Sequence, residues 1–266
     1  MENIKILREK TDAGIVDCKN ALAEANNDIN KAVEILRKKG IAKAIKRSDK
    51  EVNEGIIKVK IDDQAKKGYI IEINAETDFV IRNKKFQEFV DKILRVIMDK
   101  QPQEKNQLMS LPLDNSTVQE VLNILSGVIG EKLDIKRFST LVSNGTVAGY
   151  THPGGKIGVL VAIDREGEKE LSADLAMQIA ATNPKYITAE QVPAYEINNE
   201  KEIYIEQLRK QGKPENVIDK IIIGKINKYF GEVCLVNQEY IKDDKKTVKD
   251  ILGKAKVEEY IRYSLN

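Results

Sequence analysis

The chain has 266 residues, enough for two or three compact units with a sizeable core. Lys+Arg 44 against Asp+Glu 42 leaves a net charge of +2, aromatics reach only 5%, and Trp is absent. That balance argues against the one-sided basic field of a protein that grips phosphate backbones, and it leaves few platforms on which bases could stack.

A single His, His152, and two distant cysteines, Cys18 and Cys234, give almost no material for a zinc site or a His relay. No cofactor is expected, and both cysteines read as reduced, half-buried thiols of a cytosolic protein. The start, MENIKILREKTD, carries early charges and lacks the apolar core of a secretory signal. The longest apolar run, Ile157 to Ile163, falls well short of the roughly 20 residues that span a bilayer. A cytoplasmic protein without membrane contact is expected.

The first forty residues read as three short amphipathic helices. Ile4, Leu7 and Arg8 share one face of the first. Val16, Ala21 and Leu22 mark the second, and Ile29, Val33 and Leu36 the third. Asp12-Ala13-Gly14 makes the first turn, Asn27-Asp28 caps the third helix, and Gly40 stops it. A minimal bundle of this kind suits interaction better than catalysis. The charged stretch AKAIKRSDKEVNEG then serves as a solvated helix and linker.

The body carries a worn repeat. GIIKVKIDDQAKKGYIIEIN is strand, turn, strand, with Ile57, Val59 and Ile61 alternating against lysines. A helix follows, with Phe86, Phe89, Val90, Ile93, Leu94 and Ile97 at helical spacing. GTVAGYTHPGGKIGVLVAID repeats the hairpin and LSADLAMQIAAT the helix, which predicts two β-β-α units side by side. Helices are predicted between them, from Ser116 to about Val128 and around Glu131 to Phe138.

From Ala194 to Phe230 the pattern is a helical hairpin. Ile197, Lys201, Tyr204 and Leu208 form one seam, and Val217, Ile221 and Lys225 the other. Gly212 ends the first helix and Pro214 opens the second. EVCLV then reads as a strand, a short helix begins near Asp243-Asp244, and a last strand puts Val257, Ile261, Tyr263 and Leu265 on one face. The arm therefore reads as an insertion into the second unit.

Chemistry for covalent work is missing. GYTHPGGKIGVL resembles a phosphate-binding loop, but Gly155 occupies the lysine position and Ile157 follows Lys156, so no hydroxyl is available for magnesium. The glycines suit a hairpin turn with positive φ. No serine sits in a nucleophile elbow, and Asp62-Asp63 and Asp243-Asp244 fall where turns and caps call for carboxylates.

NAETDFVIRN, residues 74 to 83, is the stretch that poses the functional question. Phe79 lies seven residues before Phe86, so a continuous helix from Thr77 would bury both rings on one face and make Thr77 or Asp78 a simple cap. Against this stands a resemblance. LREKTDAGIVDCKNAL, Leu7 to Leu22, and EINAETDFVIRN, Glu72 to Asn83, resemble in order and separation the two signatures of the elongation factor Ts family. The likeness extends through HPGGKIGVLV, the helical arm and KTVKDIL.

The resemblance implies a guanine nucleotide exchange factor that binds elongation factor Tu, displaces its magnesium and promotes GDP release so that GTP can rebind, with no covalent chemistry. It implies an α+β fold. The units are a three-helix module like the ubiquitin-associated type with its linker (1–50), a core subdomain (51–140), a second related subdomain with antiparallel strands (141–190 and 230–266), and an inserted coiled-coil hairpin (191–229). Thr77, Asp78, Phe79 and Val80 would form the intruding, magnesium-dislocating element, with Phe79 exposed. Val16, Cys18, Lys19, Ile129, Gly130 and His152 would meet the partner. No direct nucleic-acid contact is implied, and a homodimer through the hairpin stays open. The family often continues past the last strand with a helical tail, whereas this sequence stops at YIRYSLN, so no tail contact is carried over.

Overall fold

The structure, a computed structural model, describes residues 2–11 and 13–265. Helices α1 (Glu2–Thr11), α2 (Ile15–Glu24) and α3 (Ile29–Lys46) form the N-terminal bundle. Leu7, Cys18, Ala21, Leu22, Ala25 and Ala32 fill its centre. Asp28 caps α3 as its type demands, its Oδ1 accepting from the amides of Asn30 at 2.9 Å and Lys31 at 3.1 Å. The first turn expected at Asp12 includes a residue outside those described.

Gly40 does not stop α3, which runs one and a half turns further to Lys46. Gly40 is instead where α3 crosses a later helix: a Cβ placed on Gly127 would lie 2.5 Å from the Gly40 Cα. Two glycines let two backbones touch and so seat the bundle on the core. Gly127→Ala is therefore expected to force the helices apart, costing about 1–3 kcal/mol by overpacking. Gly40→Ala, whose Cβ would find its nearest neighbour at 3.8 Å, is expected to leave the melting temperature unchanged or raised. Equal melting of the two variants in a thermal scan would show that this crossing is not the seat.

After the linker come β1 (Glu54–Ile61), β2 (Lys67–Ala75), α4 (Asp78–Ile81), α5 (Lys84–Lys100), α6 (Lys105–Ser110), β3 (Pro112–Leu113), β4 (Ser116–Thr117), α7 (Val118–Ile129) and β5 (Leu133–Val142). The second unit supplies β6 (Thr146–Thr151), β7 (Ile157–Ile163) and α8 (Lys169–Thr182), then α9 (Ala194–Lys210) and α10 (Glu215–Val233). It closes with β8 (Glu239–Tyr240), β9 (Asp243–Thr247), α11 (Val248–Leu252) and β10 (Val257–Ser264).

Two antiparallel three-stranded sheets, β1-β2-β5 and β10-β7-β6, stack face to face. Alternation decides which side each residue serves. Ile57, Ile70, Leu141, Val147, Leu160 and Tyr263 meet between the sheets. Ile56, Ile71, Ile73 and Ile135 turn outward onto Phe86, Phe89, Val90, Ile93, Leu94 and Ile97 of α5 and onto α7. Val159, Val161 and Ile163 turn onto α8 and α11. The result is helix, sheet, sheet, helix, an α+β architecture.

Several expectations need correction. The segment from Glu131 to Phe138 is not helical but begins β5, paired antiparallel with β2. A bulge opposite Glu72/Ile73 breaks its alternation, and its inner face carries Arg137 and Ser139, so a period of two was hidden. A bulge at Val257/Glu259 likewise splits β10: Val257 packs on α8, while Ile261, Tyr263 and Leu265 face the other sheet. EVCLV is the end of α10 and a 3₁₀ turn, touching Tyr186 through one bridge at Cys234. Asp243-Asp244 opens β9, and the short helix starts at Val248 behind a Thr247–Asp250 capping box.

In the arm, α9 packs Leu208 and Tyr204 against Ile218, Ile222 and Ile226 of α10, one residue out of the predicted second seam. Ile221 still packs there, and Lys225 lays its ammonium 4.9 Å from the centre of the Tyr204 ring. At the arm's root Glu196 accepts from the hydroxyls of Tyr186 at 2.8 Å and Tyr229 at 3.0 Å. Both cysteines are fully buried, not half-buried, and burial pushes the Cys234 thiol up to about 11.

Candidate functional site

The site is built where β2 ends. Its last residue, Ala75, pairs with Leu133 of β5, and the chain then leaves the sheet as Glu76-Thr77 before α4. The helix is a single turn because Asn83 starts a new one: its side chain accepts from the Lys85 amide at 2.9 Å and caps α5. The continuous helix from Thr77 to Phe86 is therefore absent. Broken there, the chain turns Val80 into the outer core at 3% exposure and leaves Phe79 79% exposed.

An aromatic ring so exposed beside a carboxylate is the most conspicuous surface feature of this region. Asp78 is exposed too, its Oδ2 3.9 Å from Arg82 in a loose pair along the helix. Such a pair between two solvated side chains holds little energy and leaves the carboxylate available. Phe79 and Asp78 thus form the tip of a short prong rooted by Val80.

Val80 itself is not a contact surface: it is the root. Thr77 does not cap α4 through its side chain. Its amide donates to Glu131 Oε2 at 2.9 Å and its hydroxyl to Glu131 Oε1 at 2.7 Å. Glu131 is delivered there by Gly130, which ends α7 at φ 84, a left-handed conformation that favours glycine. Ile129 is half-buried against the outer core.

Beneath the prong lies a second carboxylate. Glu76 Oε1 accepts from Arg47 Nε at 2.9 Å and from the Lys132 amide at 2.6 Å, and Oε2 accepts from Arg47 at 2.8 Å. The Lys132 ammonium reaches back to the carbonyls of Ser48 at 2.5 Å and Lys50 at 2.8 Å. Three segments meet here: the linker after α3, the base of the prong, and the α7–β5 turn. The Arg47 hydrogen bond holds the Glu76 carboxyl below its ordinary value of 4.5, with help from the Lys132 amide and against burial.

The sign of the pH effect follows. A depressed carboxyl stabilises the fold above the unfolded pKa, and that contribution is lost as pH falls through the lowered value. Acidification below the ordinary 4.5 and through that lowered value is thus expected to release the Lys132 amide, the backbone donor that Glu76 holds. Glu76→Gln should flatten this step in amide exchange; a step of unchanged size in that variant would assign it to another group.

The remaining predicted residues divide. Val16 is 69% exposed and Lys19 is exposed beside it, on the outer side of α2. Cys18 is 0% exposed and cannot face a partner. Cys18, Ala21, Leu22 and Ala25 recur three, four and seven residues on, which is the inward stripe of α2. Val16 falls outside it, so it is not a core position either. His152 is exposed in the β6–β7 turn, its Nδ1 3.0 Å from the Tyr150 hydroxyl. Gly154 and Gly155 take φ 89 and 71 in that turn.

The fold brings His152 to the prong. A groove of about 630 Å³ is lined on one side by Asp78, Ile81 and Arg82, and on the other by His152 and Lys156. Val16 and Lys19 do not line it. Among the described residues no cluster of His, Cys, Asp and Glu could hold a metal ion, and no helix is long and apolar enough to cross a membrane. Sequence reasoning missed Glu131, Glu76, Arg47 and Lys132. Two of them sat in plain view beside the Ile129-Gly130 pair, but nothing in their spacing announces a contact with Thr77.

A profile of the family described as Elongation factor TS matches residues 76–266. Elongation factor Ts of a Nitratiruptor species is 44% identical over 278 aligned residues, covering 98% of this chain and 91% of that protein. Elongation factor Ts of Nautilia profundicola is 45% identical over 279, with 98% and 91% covered. That of Halothermothrix orenii is 41% identical over 273, with 100% and 91% covered. The profile begins at the carboxylate under the prong and runs to the last residue, and the relatives span the bundle as well; the chain belongs to the elongation factor Ts family of translation elongation factors.

Proposed function

We propose that this protein is a guanine nucleotide exchange factor that binds GDP-loaded elongation factor Tu and speeds the loss of its nucleotide. The observation that carries the reading is Phe79, 79% exposed at the tip of a prong whose next residue is fixed in the core. A ring held out in water gains on entering an apolar site, about 1.5–3 kcal/mol for a side chain of this kind. Placed between elements of the GTPase, that gain can drive a wedge. Asp78 then brings a carboxylate toward the partner's magnesium and competes for the waters and ligands that hold it. With the metal displaced, the phosphates lose their counter-charge and GDP leaves.

No bond is made or broken. The factor prefers the empty GTPase, and by reciprocity GDP weakens the factor's hold to the same degree. Val16 and Lys19 on α2, Ile129 and Gly130 at the α7 end and His152 across the groove would supply further partner contacts. Residues 1–50, 51–140, 141–190 with 230–266, and 191–229 act as the corresponding structural units, at work in the cytoplasm.

The direct test is the rate at which labelled GDP leaves elongation factor Tu with and without this protein. Acceleration that saturates with factor, together with displacement of the factor by excess GDP, is expected. Stable binding without acceleration would make the protein an adaptor and overturn the reading.

A further inference from the structure

The prong has no reason of its own to stand outward. Its helix is one turn long, its ring gains nothing from water, and the Arg82 pair is solvated. Something beneath must fix it. The geometry points to Glu131 as a positioning residue: a carboxylate latch that, together with the Glu76–Arg47 pair, keeps Asp78 and Phe79 presented before any partner arrives.

Both oxygens of Glu131 are used on one residue, the Thr77 amide and hydroxyl. Two bonds to one residue fix an orientation that one bond would leave free to swivel, and a charged acceptor makes them strong. The latch is itself held. The Glu131 carbonyl accepts from the Ser126 hydroxyl at 2.5 Å, and the Gly130 amide donates to the Ser126 carbonyl at 2.8 Å. One residue earlier, Glu76 is bound in a fork by Arg47, from the linker that leaves the helical bundle.

The prong's base is thereby tied to α7 on one side and to the bundle's linker on the other. Loss of either tie frees the prong to sample conformers in which Phe79 lies against its own surface. The partner still docks through the other contacts proposed above, and within that complex the rate of any step that needs the presented prong falls by the fraction of time it is presented. The effect on exchange rests on the function proposed above; the presentation of the prong does not.

Backbone order parameters of Asp78 and Phe79, measured on the full chain, separate the two. In the native protein they are expected near the rigid value of about 0.85, and in Glu131→Gln or Thr77→Val below about 0.6. Thr77→Ser, which keeps both donors, should restore them, and Arg47→Met should loosen the prong in the same sense. The double variant Glu131→Gln with Thr77→Val should be no looser than either alone, because both remove one interaction.

In the exchange assay the maximal rate of GDP release is expected to fall about tenfold in Glu131→Gln while the half-saturating factor concentration stays put. Simple loss of folded protein would do the reverse, raising that concentration at an unchanged maximum. Rigid order parameters at Asp78 and Phe79 in both single variants overturn the latch, whatever the exchange rates show. A loosened prong with undiminished exchange upholds the latch and overturns the wedge.

Discussion

Phe79→Ala is expected to leave the free protein's melting temperature where it was and to slow factor-stimulated GDP release by about 10- to 150-fold. The first half follows from exposure: a ring 79% in solvent has little to lose, and surface substitutions of this kind stay within about 0.5 kcal/mol. The second half follows from the burial a wedge needs, about 1.5–3 kcal/mol, at 1.4 kcal/mol per tenfold. Asp78→Ala should behave alike in stability, since its ion pair with Arg82 is 3.9 Å long between two exposed side chains. Its effect should appear most clearly as reduced sensitivity of exchange to added magnesium, because the carboxylate's task is to compete for that ion's shell. Val80→Ala provides the opposite pattern. At 3% exposure its truncation should destabilise the fold by about 2 kcal/mol, visible as a lower melting temperature. Undiminished acceleration by both the Phe79 and the Asp78 variants would remove the prong from the mechanism.

The sequence made the outer layers legible because their chemistry is periodic. All six apolar positions predicted to face the core from α5 are buried where spacing put them, and the two hairpins with their helices sit in the expected order. Legibility failed wherever the chain broke its own period. The bulges at Glu72/Ile73 and Val257/Glu259 each shift a strand's facing by one, and the polar inner face of β5 made a strand look like a charged helix. Gly40 read as a stop because a local rule cannot see Gly127 arriving from 87 positions away. At the site, periodicity would have buried Phe79 on the face of Phe86. Only Asn83, a cap in the middle of an apparent helix, decides otherwise, and its meaning depends on the carboxylates that hold Thr77 and Glu76 from outside the stretch.

Arg137→Ala is expected to lower the melting temperature by on the order of 10 °C. Glu72 lies on the inner face of β2 with Ile70 and is 0% exposed. Arg137 Nε donates to its Oε2 at 2.6 Å, while Lys136 places its ammonium 3.2 Å from Oε1 without the angle of a hydrogen bond. The guanidinium also lies 4.1 Å from the centre of the Tyr263 ring and donates to the Ser264 carbonyl at 3.3 Å, so it joins the two sheets. Removing it takes the one hydrogen-bonded cation from a buried carboxylate, leaving Lys136 alone beside it, and at the same time loses the contact with β10. Breaking such a pair costs about 3–5 kcal/mol, and the lower end applies because Arg137 is 42% exposed and water can enter its place. At about 2–4 °C per kcal/mol for a chain of this size, that gives the stated shift. The paired replacement Glu72→Leu with Arg137→Met should recover most of it, since an apolar pair has no charge to desolvate and Lys136, 55% exposed, returns to water. A double variant as unstable as Arg137→Ala alone would mean that the stacking on Tyr263, not the stranded charge, carries the loss.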